Sequence, residues 1–383
     1  MKPIWTPSPE RAAQTGMGRF MALAGKKTYE ELHAWSVAEP EAFWNLVWDT
    51  YKVKGEKGKR TLVDGDRMPG AKWFPDGRLN FAENLLRRRD DSDAMVFWGE
   101  DRIKRKLSHK SLYTLVSRIS QALADAGVGP GDRVAGYLPN LPESAAAMLA
   151  TASVGAIWSS CSPDFGVQGV LDRFGQIRPK VLFVADGYLY GGKEFDSQEK
   201  ASQVLEKLPS VEECVVIDYL GAPVRTGTSL YDFLEPFDPA EIGFRPMGFN
   251  DPLYILYSSG TTGVPKCIVH GIGGTLLQHI KEQRLHSDVR PGDRLFYFTT
   301  LGWMMWNWLI SGLSSEATLL LYDGSPFTGR GKVLFDFADA ERMTHFGTSA
   351  KFIDALGKSG LKPRETHKLE HVRGVISTGS PLL

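Results

Sequence analysis

Tyr257-Ser-Ser-Gly-Thr-Thr-Gly-Val-Pro-Lys266, continuing as Cys-Ile-Val-His270, is the stretch on which the reading of this chain turns. It follows a short apolar run, Leu253-Tyr-Ile-Leu256, that reads as a buried strand. Two serines, two threonines, two glycines, a proline and a lysine then arrive together. Such a loop offers unhindered backbone N–H groups, side-chain hydroxyls and one cation. Those are the groups that a polyphosphate needs.

The spacing excludes one class of phosphate loop. A Walker A loop has four residues between its glycine and a Gly-Lys pair, followed by Ser or Thr. Here Lys266 follows Pro265 and precedes Cys267, so that pattern fails.

Around this loop lies a globular chain of 383 residues, 42% hydrophobic, with 40 glycines and 22 prolines spread widely. That length suits two or three domains, or one large α/β domain with subdomains. Lys+Arg and Asp+Glu are both 45, so the formal charge is zero and nothing favours nucleic acid or an anionic membrane as partner. The most apolar windows, 144–160 and 301–322, are cut by glycine and serine and read as core elements, not membrane spans. Cys161, Cys214 and Cys267 form no CxxC pair, which predicts a reduced, cytoplasmic setting with all three as small buried hydrophobes.

Working outward, strands and helices alternate. Residues 95–98 read as a strand, and Ser108 caps a helix with apolar face Leu112, Leu115, Val116, Ile119 and Leu123, ended by Gly127. Strands follow at 134–138, 156–158, 181–184 and 214–217, with helices at 143–154, 170–177 and 198–208 between them. After a connecting stretch at 221–250 and the opening loop, helices are expected at 273–286, 333–342 and 350–358, and strands at 295–299, 317–322 and 372–376. This rhythm predicts an α/β fold of parallel βαβ units. Earlier, Thr28-Tyr-Glu-Glu31 has the form of a capping box.

The whole motif Tyr257–Lys266 resembles the phosphate loop of the adenylate-forming superfamily, which includes acyl-CoA synthetases, luciferases and peptide-synthetase adenylation domains. Gly131-Asp-Arg-Val-Ala-Gly-Tyr-Leu-Pro-Asn140 resembles that family's early strand–helix–strand unit. Phe74-Pro-Asp-Gly-Arg-Leu-Asn-Phe-Ala-Glu-Asn84 resembles an early segment of its acetyl-CoA synthetase branch, and Thr378-Gly-Ser-Pro381 its adenine-binding turn. Gly263-Val-Pro-Lys-Cys-Ile-Val-His-Gly271 and Thr300-Leu-Gly-Trp-Met-Met-Trp-Asn-Trp308 look most like the acetoacetate–CoA ligases within that branch.

The resemblance implies the large domain of that superfamily, built of stacked, mostly parallel βαβ layers. Residues 1–94 would be a lead segment and 95–383 an incomplete AMP-binding large domain. The chain is then expected to be an amino-terminal fragment with little activity alone, because the Mg2+-holding glutamate, the hinge and the small domain with its adenylating lysine would lie beyond Leu383. The reaction implied is ATP-dependent activation of acetoacetate to an acyl-AMP, then transfer to coenzyme A. The alternatives are a ligase for acetate, propionate or butyrate, or a non-catalytic nucleotide-binding remnant.

The same resemblance implies the site residues. Ser258, Ser259, Gly260, Thr261, Thr262 and Gly263 would wrap the ATP phosphates, with the Thr261 and Thr262 hydroxyls and the Lys266 charge acting in catalysis. For Lys266 the plainer reading is an exposed lysine after a turn, and for the threonines a cap. Gly379, Ser380 and Pro381 would lie against adenine. Trp303, Met304, Met305 and Trp306 would line the acid site, Trp306 standing where the acetate enzymes carry a glycine. Thr378 replaces their valine, and its hydroxyl would bond the 3-keto oxygen. Lys193, in Tyr190-Gly-Gly-Lys193, and Phe165 would meet coenzyme A, with surface or packing roles an equal alternative. Trp308 is expected in the core, and His270 to be structural.

Overall fold

The computed structural model describes residues 5–258 and 263–381. Parallel strands need crossovers, and the strand–helix alternation supplies them. A seven-stranded sheet runs, in spatial order, Thr228–Ser229, Glu213–Ile217, Val181–Ala185, Arg133–Tyr137, Ile157–Cys161, Pro252–Tyr257 and Cys267–Gly271. All its pairs are parallel except the last, which is an antiparallel hairpin closed by the opening loop. A six-stranded sheet runs Gly374–Thr378, His345–Ser349, Arg294–Tyr297, Thr318–Asp323, Asp93–Gly99 and Ile103–Ser108, antiparallel only at the last pair. The expected parallel α/β layers are therefore present, as two sheets.

Helix Pro142–Ser153 packs on Phe81–Leu85 and on His109–Asp125, and it is buried from Ser144 to Ser153. A helix buried all round must be slim, and Ala145, Ala146, Ala147, Ala150 and Ala152 make it so. Its last carbonyls are met by Asn80, whose Nδ2 donates to Ala152 O at 2.9 Å and to Ser153 O at 3.2 Å. Helix His109–Asp125 has the expected cap, Ser108 Oγ accepting from Ser111 N at 3.1 Å. It ends at left-handed Gly127, and Val128 N then donates back to Leu123 O at 2.9 Å.

The lead segment shares this core. Phe20, Leu32, Phe43, Val47 and Trp48 join one hydrophobic cluster with Leu123, Phe249 and Leu276. Gly16 N donates to Asp288 Oδ1 at 2.7 Å, tying the segment to the body. Thr28 caps its helix by accepting from Glu31 N, but Glu31 reaches Lys27 N at 2.7 Å, one residue beyond the expected box.

Three local expectations need correction. The helix expected over 273–286 is α-helical only across Ile272–Lys281 and widens into a π-turn at Glu282–His286. Gln283 in that turn is buried, donating to Trp308 O at 2.7 Å and accepting from Ser315 Oγ at 3.0 Å. The segment after Ala185 forms an unforeseen hairpin, Gly187–Tyr190 with Lys193–Asp196, around Gly191 and Gly192 at φ 61° and 77°. Cys267 is exposed, unlike buried Cys161 and Cys214, because it sits on an edge strand where its thiol faces Gln176 rather than the core.

The density around the alanine helix sets a stability test. Ala146 is fully buried. Ala146→Leu is expected to destabilise the fold by about 1–3 kcal/mol, read by urea denaturation, since added methylenes have no void to fill. An unchanged midpoint would contradict the packing described.

Candidate active site

Ligands of parallel α/β sheets bind beyond the carboxyl ends of the strands. Most of the candidate residues are there. Phe165 follows Ile157–Cys161, Ser258 follows Pro252–Tyr257, Trp303 follows Arg294–Tyr297, and Gly379–Pro381 follow Gly374–Thr378.

The phosphate-loop candidate is closed at its base. Ser258 N donates to Lys266 O, and Lys266 N donates to Ser258 Oγ, both at 3.0 Å. Ser259, Gly260, Thr261 and Thr262 lie outside the described residues. Gly263 has φ +143°, where a side chain would be strained, and Lys266 is exposed. Gln176 grips the outgoing side, its Nε2 donating to Pro265 O at 2.8 Å and its Oε1 accepting from Cys267 Sγ at 3.6 Å. One residue that sequence reasoning missed is Arg173. Its guanidinium lies 4.6 Å from the Phe165 ring centre and 5.7 Å from that of Tyr257, at the mouth of the loop. A helical arginine on the polar side of an amphipathic helix gives no signal of this.

A cleft of about 520 Å3 separates the two sheets' strand ends. Asn140, Asp164, Tyr188, Tyr190, Thr300 and Asp323 are among its lining. Its walls are joined by Glu100, which is fully buried. The Glu100 carboxylate accepts from Gly191 N at 2.7 Å, Gly192 N at 2.9 Å, Ser325 N at 3.0 Å and Thr328 Oγ1 at 3.0 Å. The two glycine N–H groups are thus committed, and Lys193 follows them as the first residue of an exposed strand. Phe165 faces Arg173, and its ring also approaches Gly302. Asp323 accepts from Leu189 N at 3.1 Å, and burial, with the charge of Glu100 adding to it, pushes its carboxyl up to about 7.

A second cavity, of about 650 Å3, gathers candidates from three elements: Val269 and His270 from the strand leaving the loop, Met304 and Met305, and Thr378. Trp308 also lines it, although it is nearly buried. Helix Met304–Ile310 turns 304, 305 and 308 to this side and Trp306 to the other. Trp306 is accordingly not a wall of this cavity. It is fully buried, stacked 6.5 Å from Trp158, with its indole N–H donating to Asn140 Oδ1 at 2.9 Å. Trp303 is 63% exposed and lies outside the lining as well. His270 packs its ring 4.9 Å from Tyr254, and burial lowers its basicity. Thr378 Oγ1 lies 2.7 Å from Tyr297 Oη.

A family model described as AMP-binding enzyme matches residues 81–383. The chain belongs to this family of AMP-binding enzymes. A second model, the acetyl-coenzyme A synthetase N-terminus, matches residues 29–85. The acetoacetyl-coenzyme A synthetase of Rhizobium meliloti is 55% identical over 100% of this chain and 60% of its own length. The solved structure of acetoacetyl-CoA synthetase from Streptomyces lividans superposes with a TM-score of 0.95 at 42% identity, over 100% of this chain and 60% of that one. A more distant relative, the malonamoyl-CoA synthetase of Penicillium aethiopicum, is 37% identical over 99% of this chain and 58% of its own length. The chain spans about 60% of the length of the curated relatives it matches.

Two outcomes test the cleft. Glu100→Ala strips four donors, Ser325 N among them buried, of their acceptor and is expected to cost about 3 kcal/mol or more, with faster amide exchange at Gly191 and Gly192. Exchange unchanged at those two amides would refute the clamp. Asp323 binds its proton more tightly in the fold than in the unfolded chain, where its value is near the usual 3.8. Its contribution is therefore greatest below 3.8 and is lost as pH rises through about 7. Asp323→Asn keeps the acceptor for Leu189 and should melt higher than the parent at pH 8, with the gain shrinking at pH 5. A pH-independent difference would contradict the buried, protonated carboxyl.

Proposed function

We propose that this chain supplies the nucleotide- and acid-binding part of a ligase that joins acetoacetate to coenzyme A while ATP is cleaved to AMP and pyrophosphate. The observation that carries the reading is the likeness to acetoacetyl-CoA synthetases over the entire chain, at 55% identity in one case. The malonamoyl-CoA synthetase relative adds support, because malonamoyl and acetoacetyl groups both bear a carbonyl at C3.

In such a ligase the acid's carboxylate attacks the α-phosphate, so one anion approaches another. Donors and cations that are already in place lower the barrier. On this reading Ser258 to Gly263 wrap the β- and γ-phosphates, the Thr261 and Thr262 hydroxyls donate to them, and Lys266 adds charge. The bonded base of the loop, Ser258 to Lys266, holds that lysine's backbone in a fixed place. Gly379, Ser380 and Pro381 take the adenine, where φ +93° at Gly379 and an open flank suit a flat ring.

The acid occupies the cavity of Met304, Met305 and Thr378, with Trp308 as a wall in the role first given to Trp306. Coenzyme A runs through the cleft between the sheets, and Lys193 is its phosphate contact, since Glu100 holds the adjoining glycine N–H groups. Phe165 lies at the nucleotide side of that path. Among the described residues no three His, Cys, Asp or Glu side chains converge as a cation site. The partners are small molecules rather than nucleic acid, and no helix of the described residues is long and apolar enough to cross a membrane. Three free cysteines suit a reducing cytoplasm.

The test uses a protein of the relatives' length that carries this chain, with acetoacetyl-CoA, AMP and pyrophosphate measured as products. Lys266→Ala is expected to lower kcat/KM for ATP by about tenfold or more with no change in melting temperature, since the side chain is exposed. Equal ATP kinetics in the variant would remove Lys266 from the site, and absence of acetoacetyl-CoA from the parent would overturn the proposal.

A further inference from the structure

We infer that Tyr297 is a positioning residue that sets which way the Thr378 hydroxyl proton points, and thereby tunes the acid cavity for a carbonyl at C3. The inference rests on the acetoacetate reading above and assigns the discrimination to a hydroxyl pair rather than to one threonine.

Tyr297 closes the strand Arg294–Tyr297 and is buried at 4% exposure. Its ring meets Trp308, a cavity wall, edge-on at 6.2 Å. Its Oη lies 3.0 Å from Thr348 O and 2.7 Å from Thr378 Oγ1. Burial holds the phenol protonated. A phenol has one proton to give, and two oxygens here can accept it.

Two arrangements follow. In the first, Tyr297 donates to the Thr348 carbonyl, and Thr378 donates to Tyr297 Oη. Thr378 then turns only lone pairs to the cavity. In the second, the Tyr297 proton turns to Thr378 Oγ1, and the Thr378 proton is free to point at a ligand. No bond to carbon is made or broken, and each hydroxyl keeps its proton.

A ketone oxygen accepts and cannot donate, so it pairs only with the second arrangement. An alkyl chain offers no acceptor and leaves the pair in the first. Acetoacetate thus gains a hydrogen bond that butyrate, of the same chain length, cannot make. Tyr297 is needed because it supplies Thr378 with a donor in the second arrangement and an acceptor in the first, so neither state leaves the threonine unpaired.

The experiment is a double-mutant cycle in a protein of the relatives' length that carries this chain. The readout is the ratio of kcat/KM for acetoacetate to that for butyrate, from acid-dependent pyrophosphate release. Thr378→Val is expected to lower the ratio about tenfold or more and Tyr297→Phe about fivefold or more. The double variant should fall no further than the worse single one, since the two act as a unit. Thr378→Ser, which keeps the hydroxyl, should retain the ratio. Melting curves establish that each variant is folded. A ratio unchanged in Tyr297→Phe but lowered in Thr378→Val would overturn the role of Tyr297 alone. Losses that add in the double variant would do the same. A ratio unchanged in both single variants would overturn the assignment of this pair, and a parent that does not use acetoacetate would overturn the functional reading beneath it.

Discussion

The Glu100 carboxylate, sunk completely inside the protein and ringed by three backbone N–H groups and one hydroxyl, is the constraint on which the cleft depends. It follows the strand Asp93–Gly99 of one sheet and grips a hairpin that leaves the strand Val181–Ala185 of the other. A buried charge is tolerable only when donors replace its water, and here four do so. The geometry admits little else. A Cβ at Gly324, where φ is +122°, would fall 2.2 Å from Glu100 Cγ. Asp323 neighbours this charge, and the two carboxyls divide their tasks: one is an acceptor for four donors, and the other is pushed towards its protonated form.

That clamp also says what the glycine turn can offer. Successive glycine N–H groups make an anion nest, and Gly191-Gly192 is such a turn. Its N–H groups are filled by the protein's own carboxylate, which leaves Lys193 as the charge that the turn can present to a ligand. The cavity lined by Met304, Met305 and Thr378 is built on a comparable economy of protons. Tyr297, Thr348 and Thr378 share two hydroxyl protons among three oxygens, so a ligand that accepts can change the arrangement and one that does not accept cannot.

Much of this was legible in sequence because it is local. Strand runs such as Val181–Ala185, buried at every position, and the amphipathic helix behind Ser108 follow from period and caps. The phosphate-loop candidate follows from its residue types in order. What sequence left hidden is set by tertiary direction. Trp306 and Trp308 are two residues apart on one short helix and equally apolar, and only packing tells that Trp308 lines the cavity while Trp306 bonds Asn140. Glu100 reads as a surface acid beside Asp101, because its four donors lie far along the chain. Cys267 looks apolar among its neighbours, yet it sits on an edge strand with Ile268 and Val269 also exposed.

We propose that strand ends from both sheets compose an adenylating site with a cavity that reads a C3 carbonyl. Acid-dependent exchange of labelled pyrophosphate into ATP tests it most directly, in a protein of the relatives' length carrying this chain. The account predicts exchange with acetoacetate at a kcat/KM about a hundredfold or more above that with butyrate. Equal exchange with butyrate or acetate, or none with any of the three acids, would contradict it.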